Sequence, residues 1–178
     1  VYVPDNIEVG GVEYSVIKLG DNLFKENKSL DSVTLGEGIT EIGASVFEGA
    51  TSLVCIVTPE SLTTIGANAF SGCSAFNSII LYDTVTSIGE NAFLNCPNVV
   101  VYCNENTAAH TYVSEHNIAY TILNPDATPE VYTQDGIEYY IMNGEAIAIS
   151  FDGRSNKAVI PTVVNNYPVT ELRGVFKN

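Results

Sequence analysis

Four phenylalanines recur at one interval in this chain. Phe24, Phe47, Phe70 and Phe93 stand 23 residues apart. Gly20, Gly43, Gly66 and Gly89 keep the same period, as do Leu19, Ile42, Ile65 and Ile88. A core built once has no reason to place its large residues at a fixed interval. A stack of coils does, because each coil must set the same side chain at the same depth. The sequence therefore specifies a solenoid, and the recurrent glycine marks a tight turn or a residue with positive φ.

Aligning the units on phenylalanine gives the columns a physical meaning. Leu30, Leu53, Phe76 and Val99 share one column; Val33, Ile56, Ile79 and Tyr102 share the next; Leu35, Thr58 and Leu81 share a third. Alternation at 33 and 35 has period two, so each unit carries one short strand, and strands of successive coils form a parallel ladder with a spacing of about 4.8 Å. Ile39, Leu62 and Val85 begin a second apolar step that Ile42, Ile65 and Ile88 complete. Residues between the inward columns face out. They include Cys55 and Cys103, and six of them form the candidate binding face: Ser32, Thr34, Val57, Ser78, Ile80 and Val101. Solenoids bind macromolecules through such extended faces; β-branched residues also suit strands for their own sake. Glu37, Glu60, Tyr82 and Asp83 sit at the strand exits as a rim.

The rhythm breaks at Asn106. Residues 107–116 read as a short helix capped by Asn106 or Thr107, with Ala108, Ala109, Tyr112 and Val113 on one face. Its expected task is to cover the last strand ladder, because an open edge invites pairing. An extended segment follows over 118–123. The expected organisation is a solenoid with a helical cap over 1–123, a linker over 124–129 and a β-hairpin or meander unit over 130–178. Asp135-Gly136 and Asn143-Gly144 are the tight-turn signals of that last unit. Its end resembles the head of the chain: Val159-Ile160-Pro161 matches Tyr2-Val3-Pro4, and Val169–Leu172 matches Val16–Leu19. Val1 is not an initiator Met. The expectation is a piece of a longer protein that stops at the entry of a second repeat block.

Chemistry is hard to find. Twenty-one Asp and Glu against seven Lys and Arg give a formal charge of −14, which repels nucleic acid and anionic membrane surfaces. No stretch approaches the ~18 apolar residues of a membrane span, so no direct membrane insertion is expected. His110 and His116 point to different faces of their helix, and no Gly-x-Ser-x-Gly stands beside them. Gly36-Glu37-Gly38 lacks the rest of a phosphate loop. The four cysteines include no CxxC or paired histidine, so no metal ligand set, no cofactor and no catalytic residue is expected. Cys73 and Cys96 share a column in adjacent coils, which allows either a disulfide or a pair of small buried thiols.

Val85-Thr86-Ser87-Ile88-Gly89-Glu90-Asn91-Ala92-Phe93-Leu94-Asn95-Cys96, with Leu62 through Cys73 nearly alike, resembles the BspA-like leucine-rich repeats of bacterial surface proteins. The strand-end proline of that pattern survives only as Pro59, and Ala50 and Asn27 stand in cysteine slots. The resemblance implies a leucine-rich-repeat solenoid: a parallel β ladder of short strands and turns with a short capping helix, then the hairpin unit. It also implies an exported or surface-anchored protein of anaerobic bacteria. Its expected partner is a host extracellular-matrix protein, a glycan or another cell-surface macromolecule, met by a monomer. A structural spacer and an accessory domain of a larger surface protein are the alternatives.

Overall fold

The structure, a computed structural model, describes residues 1–123, 130–134, 137–142, 145–151, 163–164 and 167–172. The chain divides into two compact units, Val1–Ile122 and Leu123–Asn178.

The first unit is a parallel β-solenoid. It opens with β1 (Tyr2–Val3), a hairpin of β2 (Asn6–Val9) and β3 (Val12–Ser15), and β4 (Lys18–Leu19). The coils then alternate two kinds of strand: β5 (Ser32–Leu35), β6 (Glu41–Ile42), β7 (Cys55–Val57), β8 (Thr64–Ile65), β9 (Ser78–Ile80), β10 (Ser87–Ile88) and β11 (Val100–Cys103). Helix α1 (Ala108–Glu115) and strand β12 (Ala119–Ile122) close the unit. One ladder runs β1-β5-β7-β9-β11-β12 and the other β4-β6-β8-β10, with every pairing parallel.

A third ladder joins the coils on the phenylalanine side. The amides of Asn22, Phe24 and Glu26 donate to the carbonyls of Ala44, Val46 and Glu48, and the next two coils repeat the scheme. Inside it the phenylalanines stack. Ring centroids lie 5.5, 5.2 and 5.3 Å apart from Phe24 through Phe47 and Phe70 to Phe93, with planes within 12° of parallel. Tyr112 of α1 ends the column, edge-on to Phe93 at 6.1 Å. Its hydroxyl accepts from the Ala92 amide at 3.0 Å. Burial is the first cause that raises the Tyr112 phenol above its ordinary value.

The inward columns are buried as the period requires, from Leu30, Leu53, Phe76 and Val99 to Ile39, Leu62 and Val85. Thr58, in a leucine column, is satisfied by donating from Oγ1 to the Ile80 carbonyl at 2.6 Å. The recurrent glycine has another role than positive φ. The left-handed residues lie at Asn22, Ser45, Asn68 and Asn91, two positions further on. Gly66 is needed for close approach: a Cβ there would sit 2.5 Å from the Ala44 nitrogen and the Gly43 carbonyl carbon.

The cap begins at one of the two expected residues, and its buried face and the edge it covers differ from expectation. Thr107 is the N-cap, accepting from the His110 amide at 3.2 Å. Ala109, Tyr112 and Val113 are buried while Ala108 is exposed. The edge of the first ladder is taken by β12, which pairs with β11 over four residues. The helix packs against β10 and shields the end of the second ladder.

The second unit holds β13 (Glu130–Gln134), β14 (Ile137–Met142) and β15 (Glu145–Phe151), an antiparallel meander. Strands β16 (Val163–Val164) and β17 (Tyr167–Leu172) join it, with β17 parallel to β15. The linker over 124–129, the Asp135-Gly136 and Asn143-Gly144 turns and Val159-Ile160-Pro161 lie outside the described residues.

The glycine contact gives a direct prediction. Gly66→Ala forces backbone against backbone and is expected to cost about 1–3 kcal/mol or more of stability, as overpacking does. Gly20→Ala, with nothing within 4 Å of its Cβ, should shift the denaturation midpoint much less. Chemical denaturation of the two variants beside the parent chain checks this.

Candidate functional site

The outward face of the first ladder is built by register. Tyr2 stands opposite Thr34, Thr34 opposite Val57, Ile80 opposite Tyr102, and Tyr102 opposite Thr121. The Cys55–Ser78 pairing places Ile80 beside Val57. These residues form one row across six strands: Tyr2, Thr34, Val57, Ile80, Tyr102 and Thr121. Tyr2 is 61% exposed and the others are half-buried. The centre is apolar, and a tyrosine stands toward each end. Amphipathic rings of this kind offer large contact area at low conformational cost.

A second outward row runs beside it: Ser32, Cys55, Ser78, Val100 and Ala119. It is deepest at its centre, where Cys55 and Ser78 are buried, and Ala119 at its end is exposed. Ser32 is half-buried, whereas Ser78 is only 5% exposed, with its hydroxyl bonded to Asn77 Oδ1 at 3.0 Å. Ser78 faces outward but offers little surface, a correction to its place among the candidate contacts.

Val101 requires a larger correction. It points inward and is fully buried. The last coil has one residue fewer between Val99 and its strand than the coil before it has between Phe76 and Ile79. Val101 therefore pairs with Ile79, and Tyr102 with Ile80. A shift of one residue in a strand exchanges its two faces. Cys103 turns inward by the same step and is buried, and Tyr102, expected inside, joins the outer row. Of the six candidates, Ser32, Thr34, Val57 and Ile80 lie outward with accessible surface. Tyr2 and Tyr102 were not among them.

All four cysteines are free and buried. The Sγ atoms of Cys73 and Cys96 lie 3.0 and 2.9 Å from the carbonyl oxygens of Phe47 and Phe70, so this column is packed by thiols. The Cys96 sulfur, and then burial, push the Cys73 thiol far above its ordinary value. Burial, with a smaller contribution from the Asp83 carboxylate, pushes Cys103 up to about 11. The hydrogen bond with Cys73 lowers the Cys96 thiol below its ordinary value; low-pKa accessible thiolates are the reactive ones, and all four sulfurs lie in the interior, which points to packing rather than chemistry.

His116 stacks on Tyr112 at 4.1 Å and His110 meets Tyr120 edge-on at 5.2 Å. A groove of about 420 Å³ beneath the cap is lined by Phe93, Leu94, Pro97, Tyr112, His116 and Ile118, among others. Among the described residues, no group of three or more His, Cys, Asp or Glu is placed to hold a metal. No helix among them is long and apolar enough to cross a membrane.

Comparison with known proteins agrees with the architecture. The BspA type leucine rich repeat region matches residues 5–117, in six copies. That is well over half of the chain, which therefore belongs to the BspA type leucine-rich repeat family. A leucine-rich repeat protein from Bacteroides capillosus is 26% identical, with a TM-score of 0.51; the match covers 56% of this chain and 74% of that one. The T. pallidum leucine rich repeat protein is 25% identical over 57% of each chain, with a TM-score of 0.44. A leucine-rich repeat protein from Bacteroides ovatus is 24% identical, with a TM-score of 0.43, over 57% of this chain and 32% of that one. No curated protein matches significantly.

The thiol environments make an accessible prediction. In the folded chain at pH 8, a thiol reagent should label almost none of the four cysteines, and all four should react in denaturant. Stoichiometric labelling without denaturant would place at least one sulfur outside the core.

Proposed function

We propose that this chain is a non-catalytic binding and adhesion module of an extracellular or cell-surface protein. It recognises a macromolecule, either a host extracellular-matrix protein, a glycan or another cell-surface partner, and acts as a monomer. The observation that carries this reading is the row Tyr2–Thr34–Val57–Ile80–Tyr102–Thr121. A row with a half-buried apolar centre and a tyrosine toward each end has the composition of a contact surface. Family membership supports it at a coarser level, since leucine-rich-repeat solenoids commonly serve protein interaction. Two further features favour binding over turnover. The histidines are engaged with aromatic rings, and the cysteines are packed in the interior.

The test is saturable binding without turnover on a panel of immobilised matrix proteins and glycans. Val57→Asp and Ile80→Asp should each weaken binding at least about tenfold, as expected for charges at the centre of an apolar contact, with the circular dichroism of the parent retained. Unchanged affinity in both variants would remove this face from consideration. A chain that binds nothing on the panel would favour the spacer role instead.

A further inference from the structure

The two ends of the stack are finished differently. At the far end α1 packs on the last coil, with Tyr112 edge-on to Phe93. At the near end the first coil leaves core positions in solvent. Leu23 holds the place that Val46, Ala69 and Ala92 fill in the next three coils. Those three are fully buried, and Leu23 is 54% exposed. Phe24 is half-buried where Phe47, Phe70 and Phe93 are buried, and Ile17 is exposed as well. A solenoid end of this kind needs a cover.

The strand of this coil, β4, has one open edge. It is terminal in its ladder and pairs only with β6 among the described strands. In each later coil two amides donate to the coil before. Thr40 and Gly43 donate to Ile17 and Leu19, Thr63 and Gly66 to Thr40 and Ile42, and Thr86 and Gly89 to Thr63 and Ile65. The same two positions in the first coil are Ile17 and Gly20. Among the described residues, neither of these amides has a backbone acceptor. The glycine column agrees. Gly43, Gly66 and Gly89 each lie against the backbone of the preceding coil, whereas a Cβ at Gly20 would meet nothing within 4 Å.

The second unit repeats this entry and carries a strand beside it. Val169–Leu172 matches Val16–Leu19 in sequence. The hairpins that precede them match pair for pair: Ile7 pairs with Tyr14 and Asn6 with Ser15, as Val164 pairs with Tyr167 and Val163 with Pro168. Only the tip differs, where Asn165-Asn166 stands for Glu8–Glu13. In the second unit the matching strand is not at an edge. β17 lies between β16 and β15, and β15 runs parallel to it, with Ala146 opposite Val169 and Ala148 opposite Leu172. β15 is the third strand of a meander and carries Ala-Ile-Ala-Ile at its centre. β6 holds one edge of β4, so a strand of this kind has only the other to take.

We propose that the open edge of β4 is a docking site for a β-meander of the β13–β15 kind. Its third strand lies parallel to Val16–Leu19, accepts from the Ile17 and Gly20 amides, and covers the apolar end of the first coil. Recognition is by strand addition: backbone bonds give affinity, and the alternating side chains give register. The site is separate from the outer row and stands whether or not that row binds. It makes the near end of the solenoid a joint to which a second module is fixed.

The sequence match sets the length of the joint. Val159 corresponds to Tyr2, so a second copy of residues 124–157 is added ahead of Val1 in the full chain. A control chain carries a Gly/Ser segment of equal length there. Native-state hydrogen exchange at the Ile17 and Gly20 amides should slow at least about a hundredfold with the meander and stay at the parent rate with the Gly/Ser segment, as capture into a stable sheet requires. A further version replaces Glu8–Glu13 by Asn-Asn, giving the first hairpin the length of the second, and should show the same protection. Parent rates at Ile17 and Gly20 in both meander versions would overturn the inference. Equal slowing with the Gly/Ser segment would overturn it too, because any preceding chain would then suffice. Sedimentation of the parent chain tests the other occupant: a dimer in which these two amides are protected would give the edge to a second copy and remove the meander.

Discussion

The approach of one coil's backbone to the next at the glycine column governs everything else in the first unit. Gly66 lies against Gly43 and Ala44, and Gly89 lies against Gly66 and Ala67, with no room for a side chain between. That closeness lets the phenylalanine-side amides bond from coil to coil and brings the rings of Phe47, Phe70 and Phe93 into parallel contact. Each aromatic pair adds about 0.5–1.5 kcal/mol beyond burial. No coil encloses its own interior, so these contacts between neighbours make the fold cooperative. The ladder then sets the outer row across six strands. A binding face on regular strands needs little ordering when a partner arrives.

The final coil shows how a repeat array changes its surface without changing its core. One residue fewer before β11 keeps Val99 and Val101 inside and moves the alternate set out. Interior positions still receive apolar or small residues, Val101 over Ile79 and Cys103 after it. The outer face acquires Tyr102. A change at one point of the chain therefore alters both faces of the strand together. The N-terminal hairpin adds a different exposed patch, where Ile7 pairs with Tyr14 and Val9 with Val12 on one face of the ribbon.

The solenoid, the strand positions and most inward columns were legible because their period is strict. Val33, Ile56 and Ile79 could be read directly from alternation. Val101 and Tyr102 were misread because a count of 23 was carried past Val99, where the coil is shorter. The signal lay in the sequence: a step of 22 aligns Val101 with Ile79 and Glu105 with Asp83. The left-handed positions were also signalled by asparagine at 22, 68 and 91, a residue that tolerates positive φ. The hairpin over 6–15 was missed although Gly10-Gly11 lies between two alternating segments, the usual mark of a tight turn. The depth of Ser78 could not be read at all, because facing outward fixes a direction and not an exposure.

Native-state hydrogen exchange, residue by residue, is the most direct measure of the coil-to-coil ladder. The amides of Phe47, Phe70, Gly66 and Gly89 donate to neighbouring coils at 2.8 Å. They should show the highest protection in residues 1–123 and should lose it together in one opening reaction. Exchange of these four amides at the rate of exposed turns, or by separate openings for each coil, would contradict the account.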